Sequence, residues 1–181
     1  MRPHKLLLCA ALCAAAALHG CGYSATRLLP SKYRTVYVQP LENKIAITQE
    51  VNEQFGFQTN LPDIEEKITQ GVISHFLFDG NLRVTTKPEE ADLKIEGKLT
   101  NFYRQPVRRN QDNNVEEYRL NLTGEVILRD KEGQVLWEEP NMIGDVTYFV
   151  TGSSARSESS AVDDLIVDFS KRVVERVVEN W

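Results

Sequence analysis

The sequence predicts an α+β fold, a two-layer sandwich in which an antiparallel or mixed sheet of about four to five strands carries two helices on one face. Two observations predict the sheet and a third the helices. Residues 93–104 and 117–129 alternate apolar and polar side chains for about ten residues each, the pattern of strands with one buried and one wet face. On either side of them, 61–78 and 160–179 space their apolar residues three and four apart, which puts one apolar stripe on each of two helices.

The chain opens with a segment of another kind. Arg2 and Lys5 precede Leu6 to Leu18, an uncharged run of about thirteen residues. That is the length of a signal-peptide core and too short for a bilayer span, which needs roughly 20 apolar residues. Leu18-His19-Gly20-Cys21 closes the run, with a branched apolar residue three before a cysteine and a small one directly before it. The arrangement suits acylation of the Cys21 thiol and cleavage ahead of it, as in a bacterial lipoprotein; a plain secretory signal that contains a cysteine is the alternative. Residues 1–20 are then a removed signal, 21–32 a lipidated tether, and 33–181 one domain. Cys9 and Cys13 leave with the signal, so lipid lipoprotein chemistry takes the remaining thiol and no disulfide is expected.

Of 21 basic and 26 acidic residues only Arg2 and Lys5 lie in the signal, leaving 19 against 26 and a mature charge near −7. A nucleic-acid partner calls for a basic domain or stripe and is excluded. Electrostatic adhesion to anionic lipid is disfavoured too. Attachment falls to the acyl chains on Cys21, where each buried methylene contributes about 0.8 kcal/mol.

Arg34 to Gln39 alternates as a first strand and stops at Pro40. Leu41 to Thr59 mixes apolar and polar residues at a period near two and is expected to be a partly ordered excursion. Leu61, Ile64, Ile68, Val72 and Phe76 form the stripe of the first helix, with Asn60 as its N-cap, Pro62 in its first turn, and Asp63, Glu65 and Glu66 at its positive end. Asp79-Gly80-Asn81 ends it. Leu82 to Thr86 is a short strand and Lys87 to Ala91 a turn. In the first long strand, Leu93, Ile95, Gly97, Leu99, Asn101 and Tyr103 are expected on the buried face. Lys94, Glu96, Lys98, Thr100, Phe102 and Arg104 are expected on the wet one. In the second, Tyr118, Leu120, Leu122, Gly124, Val126 and Leu128 face inward.

Between the long strands Pro106 to Val115 reads as a polar loop, and Asp130-Lys131-Glu132-Gly133 as a tight turn with Gly133 at positive φ. A further strand runs from Gln134 to Val150, interrupted at Pro140 by a bulge or an edge position. Thr151 to Ser160 reads as a serine-rich connector. Val162, Leu165, Ile166, Phe169, Val173 and Val177 then form the closing helix, with Ser160 and Asp163 as a capping-box-like start and Asp168 paired with Arg172.

Catalytic parts are scarce. The mature chain has one histidine, His75, which reads as a boundary packing residue, and it has no phosphate-binding glycine motif. Glu89, Glu90 and Asp92, and Asp163, Asp164 and Asp168, lack the spacing of a calcium loop or fit the start of a helix without any ligand. No enzyme, metal or cofactor is predicted. Arg104, Arg108, Arg109 and Arg119 gather near one end of the long hairpin. Two readings stand: a patch for phosphate or carboxylate, or a solvated tip neutralised by Asp112, Glu116 and Glu117.

The lipoprotein site with Gly22-Tyr23-Ser24, the strand Tyr33-Arg34-Thr35-Val36-Tyr37-Val38 running into Pro40-Leu41-Glu42-Asn43-Lys44, the segment Asp79-Gly80-Asn81-Leu82-Arg83-Val84, the run Pro88 to Gly97, and the hairpin ending in Leu136-Trp137-Glu138 together resemble the lipopolysaccharide-assembly (LptE-like) lipoprotein family. The resemblance implies an outer-membrane, periplasm-facing lipoprotein that plugs a β-barrel lipopolysaccharide translocon, supports its assembly and contacts lipopolysaccharide. By that analogy the four arginines are candidates for glycolipid phosphate. Residues 61–97 are also similar to the small domains of curli-secretion-type lipoproteins and of the periplasmic amino-terminal domain of the Tol translocation protein, which implies another envelope-assembly or secretion role.

Overall fold

The computed structural model describes residues 29–45 and 61–179. Cys21, Asn60 and most of the expected excursion lie outside them. In chain order the elements are β1 (Thr35–Val38), β2 (Glu42–Asn43), α1 (Ile64–Asp79), β3 (Arg83–Val84), a 3-10 turn (Pro88–Glu90), β4 (Leu93–Arg109), β5 (Val115–Asp130), β6 (Val135–Phe149) and α2 (Glu158–Glu179).

The sheet has six strands, in the order β3-β1-β4-β5-β6, with β2 also paired to β4. β1 runs parallel to both β3 and β4, and β4, β5 and β6 form an antiparallel meander. The strand beyond those expected is β2, a residue pair too short for any pattern to announce, while β3 is the expected strand of Leu82 to Thr86 cut to two residues. β2 also revises the expected excursion. After Pro40, which has no N–H to give, Leu41 is buried and Glu42–Asn43 pairs with Lys98 and Leu99 further along β4.

Both helices cover one face. Ile64, Ile68, Val72 and Phe76 of α1, with Leu165, Phe169, Val173 and Val177 of α2, pack on Val36, Leu93, Ile95, Leu99, Leu120, Leu122 and Leu128. The core reaches back to Leu29, which is buried ahead of the first strand. Close approach is made by small residues: a Cβ on Gly144 would stand 2.8 Å from the Cβ and 3.1 Å from the Cα of Phe169, and one on Gly71 would stand 2.4 Å from Ser170 Oγ.

Helix ends differ from expectation in instructive ways. α1 starts at Ile64, not Leu61, because Asp63 adopts a left-handed conformation (φ 58°) that breaks the turn before it. Asp63 makes no side-chain cap, and Glu65 and Glu66 supply the acid of the first turn. Gly80 closes α1 at φ 73°, its N–H reaching the Phe76 carbonyl at 3.0 Å. α2 begins before Ser160: Ser157 Oγ accepts the Ser160 N–H at 3.2 Å, so the cap lies three residues earlier than the capping-box pattern suggested. Asp168 and Arg172 pair at 2.8 Å as expected.

The largest departure is a bulge in β4. A register shift between Leu99 and Asn101 inserts a residue, and the alternation changes phase behind it. Phe102 is fully buried against the helices and Asn101 is exposed, the reverse of the unbroken pattern. A second shift lies between Pro106 and Arg108, so β4 carries Pro106 inside a strand and the loop shrinks to residues 110–114. In β6 the shift near Pro140 and the edge position both occur, within one continuous strand. Gly133, at φ 85°, makes the expected tight turn.

Candidate functional site

The β4 bulge decides where the four hairpin arginines go. Being in phase with Phe102, Arg104 turns to the helix side, where its guanidinium pairs with the Glu158 carboxylate at the start of α2 and lies 4.7 Å over the Tyr118 ring. Tyr118 stacks on Tyr148 with centroids 5.9 Å apart, and the Tyr148 hydroxyl donates to Glu158 at 3.2 Å. Burial opposes the charge of Arg104, but the Tyr148 hydroxyl and Glu158 outweigh it and hold the guanidinium above its usual pKa. Burial, with Glu158 alongside, pushes the Tyr148 phenol up. The group is a pin between hairpin and helix.

Arg108 and Arg109 belong to the tip. Arg108 pairs with Glu116 at 3.1 Å, and Arg109 donates to the Asn113 carbonyl at 2.9 Å. Arg119 stands apart. Leu120 and Leu122 turn toward the helices, so Arg119 and Asn121 occupy the opposite face. There Arg119 lies between Gln105 and Thr147, and Asn121 between Tyr103 and Asp145. Arg119 Nε and Asn121 Nδ2 are both buried without a hydrogen-bond partner among the described residues. The four arginines therefore do not converge: one is inside, two are at the tip, and one is on the uncovered sheet face. Tyr118, Tyr148 and Glu158 were not among the sequence-predicted site residues, since only the bulge brings Arg104 to them.

The uncovered face ends at the edge strand β6, which presents backbone groups to any incoming strand. Part of it is closed by α2 and the turn before it. Asp168 Oδ2 accepts the Asp145 N–H at 3.0 Å, Arg156 donates to the Thr147 carbonyl at 3.1 Å, and the Arg156 N–H reaches the Phe149 carbonyl at 2.9 Å. Arg172 ties Asp145 to Asp168. Earlier in the strand, Pro140 offers no donor.

The acidic clusters have structural work. Asp92 anchors β1, Glu90 pairs with Lys87 at 2.6 Å, and Asp164 pairs with Arg156. His75 is half-buried on α1. Among the described residues no group of three His, Cys, Asp or Glu is placed to hold a metal ion, and no helix is long and apolar enough to cross a membrane.

The family model described as LptE, lipopolysaccharide-assembly, matches residues 33–180. Among solved structures, a hypothetical protein from Chlamydia trachomatis is similar with a TM-score of 0.51 at 11% identity, covering 80% of this chain and 95% of its own. A DUF330 protein from Xanthomonas campestris also scores 0.51, at 10% identity with 86% of each chain covered. The rare lipoprotein B from Shewanella oneidensis matches at a TM-score of 0.43 and 10% identity, over 81% of this chain and 92% of its own. At these identities the first two structures speak for the fold alone. No curated protein matches the sequence.

Proposed function

Because the chain belongs to the LptE lipopolysaccharide-assembly family, we propose that it is held at the periplasmic side of the outer membrane by acylated Cys21, plugs a β-barrel lipopolysaccharide translocon, assists assembly of that barrel, and contacts lipopolysaccharide. The observation that carries the reading is the family match over nearly the whole of the domain, 33–180. The family is one of lipoproteins without enzymatic activity. The two-layer architecture supports a docking role. One face is spent on the helices, and the other offers polar and cationic groups.

Among the four arginines the geometry favours Arg119 as a contact for glycolipid phosphate. It forms no ion pair among the described residues, whereas Arg108 pairs with Glu116, Arg109 is engaged at the tip and Arg104 is held by Glu158. The Arg119 side chain is partly exposed on the uncovered face, so the guanidinium end, and not the covered Nε, is what a phosphate oxygen would reach.

Purification of the lipidated protein from outer membranes tests the reading. A large β-barrel that translocates lipopolysaccharide is expected to come down with it, and depletion is expected to stall new lipopolysaccharide short of the cell surface. Recovery of a homo-oligomeric secretion pore in place of the barrel would sink the reading.

A further inference from the structure

The end of α1 carries an apolar pair that the core does not use. Phe76, the last residue of the stripe, is fully buried, but Leu77 is 67% exposed and Phe78 is 92% exposed. No other large apolar side chain among the described residues is as open as Phe78. Single exposed leucines are ordinary on protein surfaces. A phenylalanine with almost its whole ring in water, next to an exposed leucine on the last turn of a helix, is not.

The pair lies at the end of the molecule where the tether arrives. Leu29, Pro30 and Tyr33 line one hollow together with Arg34 and Asn81, and Asn81 is three residues beyond Phe78. Eight residue steps separate Leu29 from Cys21, and an extended chain covers at most about 3.6 Å per residue, so Leu29 is within roughly 29 Å of the anchor. The α1 tip therefore belongs to the part of the domain that the tether keeps beside the membrane. Lys32, Arg34 and Arg83 are exposed at this end too, with the Arg83 N–H bonded to the Arg34 carbonyl at 2.9 Å, although the domain as a whole is acidic. Of the acids at this end, Asp79 accepts the Asn81 N–H at 3.2 Å and Asp92 the Arg34 N–H at 2.8 Å, and Asp130 and Glu132 lie toward Lys32.

We infer that Leu77 and Phe78 form a membrane-contacting tip that enters the interfacial layer of the leaflet holding the Cys21 lipid, with Lys32, Arg34 and Arg83 beside the headgroup phosphates. This rests on acylation of Cys21 but not on the barrel or on lipopolysaccharide contact. An aromatic ring and an aliphatic side chain flanked by long cations are the residues that favour the boundary between acyl chains and headgroups. The contact sets orientation where the acyl chains set attachment. With two fixed points, the domain holds one face toward the membrane instead of swinging on its tether.

The test uses the full mature lipoprotein in vesicles of phosphatidylethanolamine and phosphatidylglycerol, with no barrel present. Once Cys21 is acylated, Phe78→Cys supplies the single free thiol for an environment-sensitive fluorophore, and Val167→Cys on α2, where the native side chain is 53% exposed, supplies the comparison. The emission at position 78 is expected to shift to the blue and to be quenched several-fold more by lipid-borne quenchers than that at 167. Lys32→Glu combined with Arg34→Glu is expected to reduce that quenching. Equal, water-like emission at both positions in protein that floats with the vesicles would overturn the inference. So would shielding at 78 that arises only when a barrel protein is added. Failure to float would instead locate the fault in the acylation of Cys21, and would overturn this inference along with that assignment.

Discussion

The carboxylate of Asp92 accepts the backbone N–H of Thr35 at 3.0 Å, while the Thr35 hydroxyl accepts the backbone N–H of Asp92 at 2.8 Å. The same carboxylate oxygen takes the Arg34 N–H at 2.8 Å. Reciprocal bonding across 57 residues of sequence fixes the start of β1 against the start of β4 and so sets the register of their parallel ladder.

Asp92 gives that junction a pH dependence. Burial opposes its charge, but the N–H groups of Arg34 and Thr35 and the Thr35 hydroxyl outweigh burial and hold its pKa below the ordinary 3.8. A depressed carboxylate stabilises the fold above its unfolded pKa, and that contribution is lost as pH falls through the folded value. Asp92→Ala is expected to cost about 1–2 kcal/mol at neutral pH, a range kept low because the group is partly solvated. Urea denaturation curves of the two proteins should draw together as pH falls below 3.8. A gap independent of pH would show that the charge contributes nothing.

Glu158 joins two elements by accepting from both Arg104 and Tyr148. Glu158→Gln is expected to destabilise by about 1–2 kcal/mol, between the values for exposed and for buried pairs. A double-mutant cycle with Arg104→Met should return a coupling of at least about 0.5 kcal/mol. Additive single effects would mean that the pair is only a neighbour contact.

Gly144 faces the backbone of Phe169, which cannot rotate aside. Gly144→Ala is therefore expected to cost about 1–3 kcal/mol through overpacking, read as a lowered thermal midpoint. Gly152→Ala has open space around its new methyl but a φ of 82°, so its smaller loss measures backbone strain separately from collision.

For the arginines, Arg119→Leu is expected to weaken lipopolysaccharide binding by about 10-fold or more, the scale of one charge-assisted hydrogen bond, with the fold intact. Arg109→Ala should leave binding near the parent value. Equal losses at both positions in a titration of purified protein would point to diffuse attraction by the hairpin end.

β5 was legible in the sequence because its period of two is unbroken from Tyr118 to Leu128. β4 begins as clearly, and its first four inward residues are where the pattern puts them, but the polar Asn101 and apolar Phe102, out of phase with the run before them, are the only sign of the extra residue that buries Phe102. The placing of the arginines was hidden for the same reason: closeness in sequence became division between faces once a bulge lay inside one strand of the hairpin. Helix stripes were readable from spacing, whereas helix starts depended on a left-handed Asp63 and on which of several serines near 157 accepts the cap. The central place of β1 was not readable, since parallel pairing with β3 and β4 is set by contacts far along the chain.

That central place has a mechanical side. The strand next to the tether is gripped on both flanks, by Arg83–Val84 and by Leu93–Ile95, and it lies parallel to each. Tension that passes the buried Leu29 and the turn closed by the Tyr33 N–H on the Pro30 carbonyl meets a strand held by two ladders, where an edge strand would be held by one. Tension from the membrane is therefore shared between two short ladders at once, of two and three residue pairs.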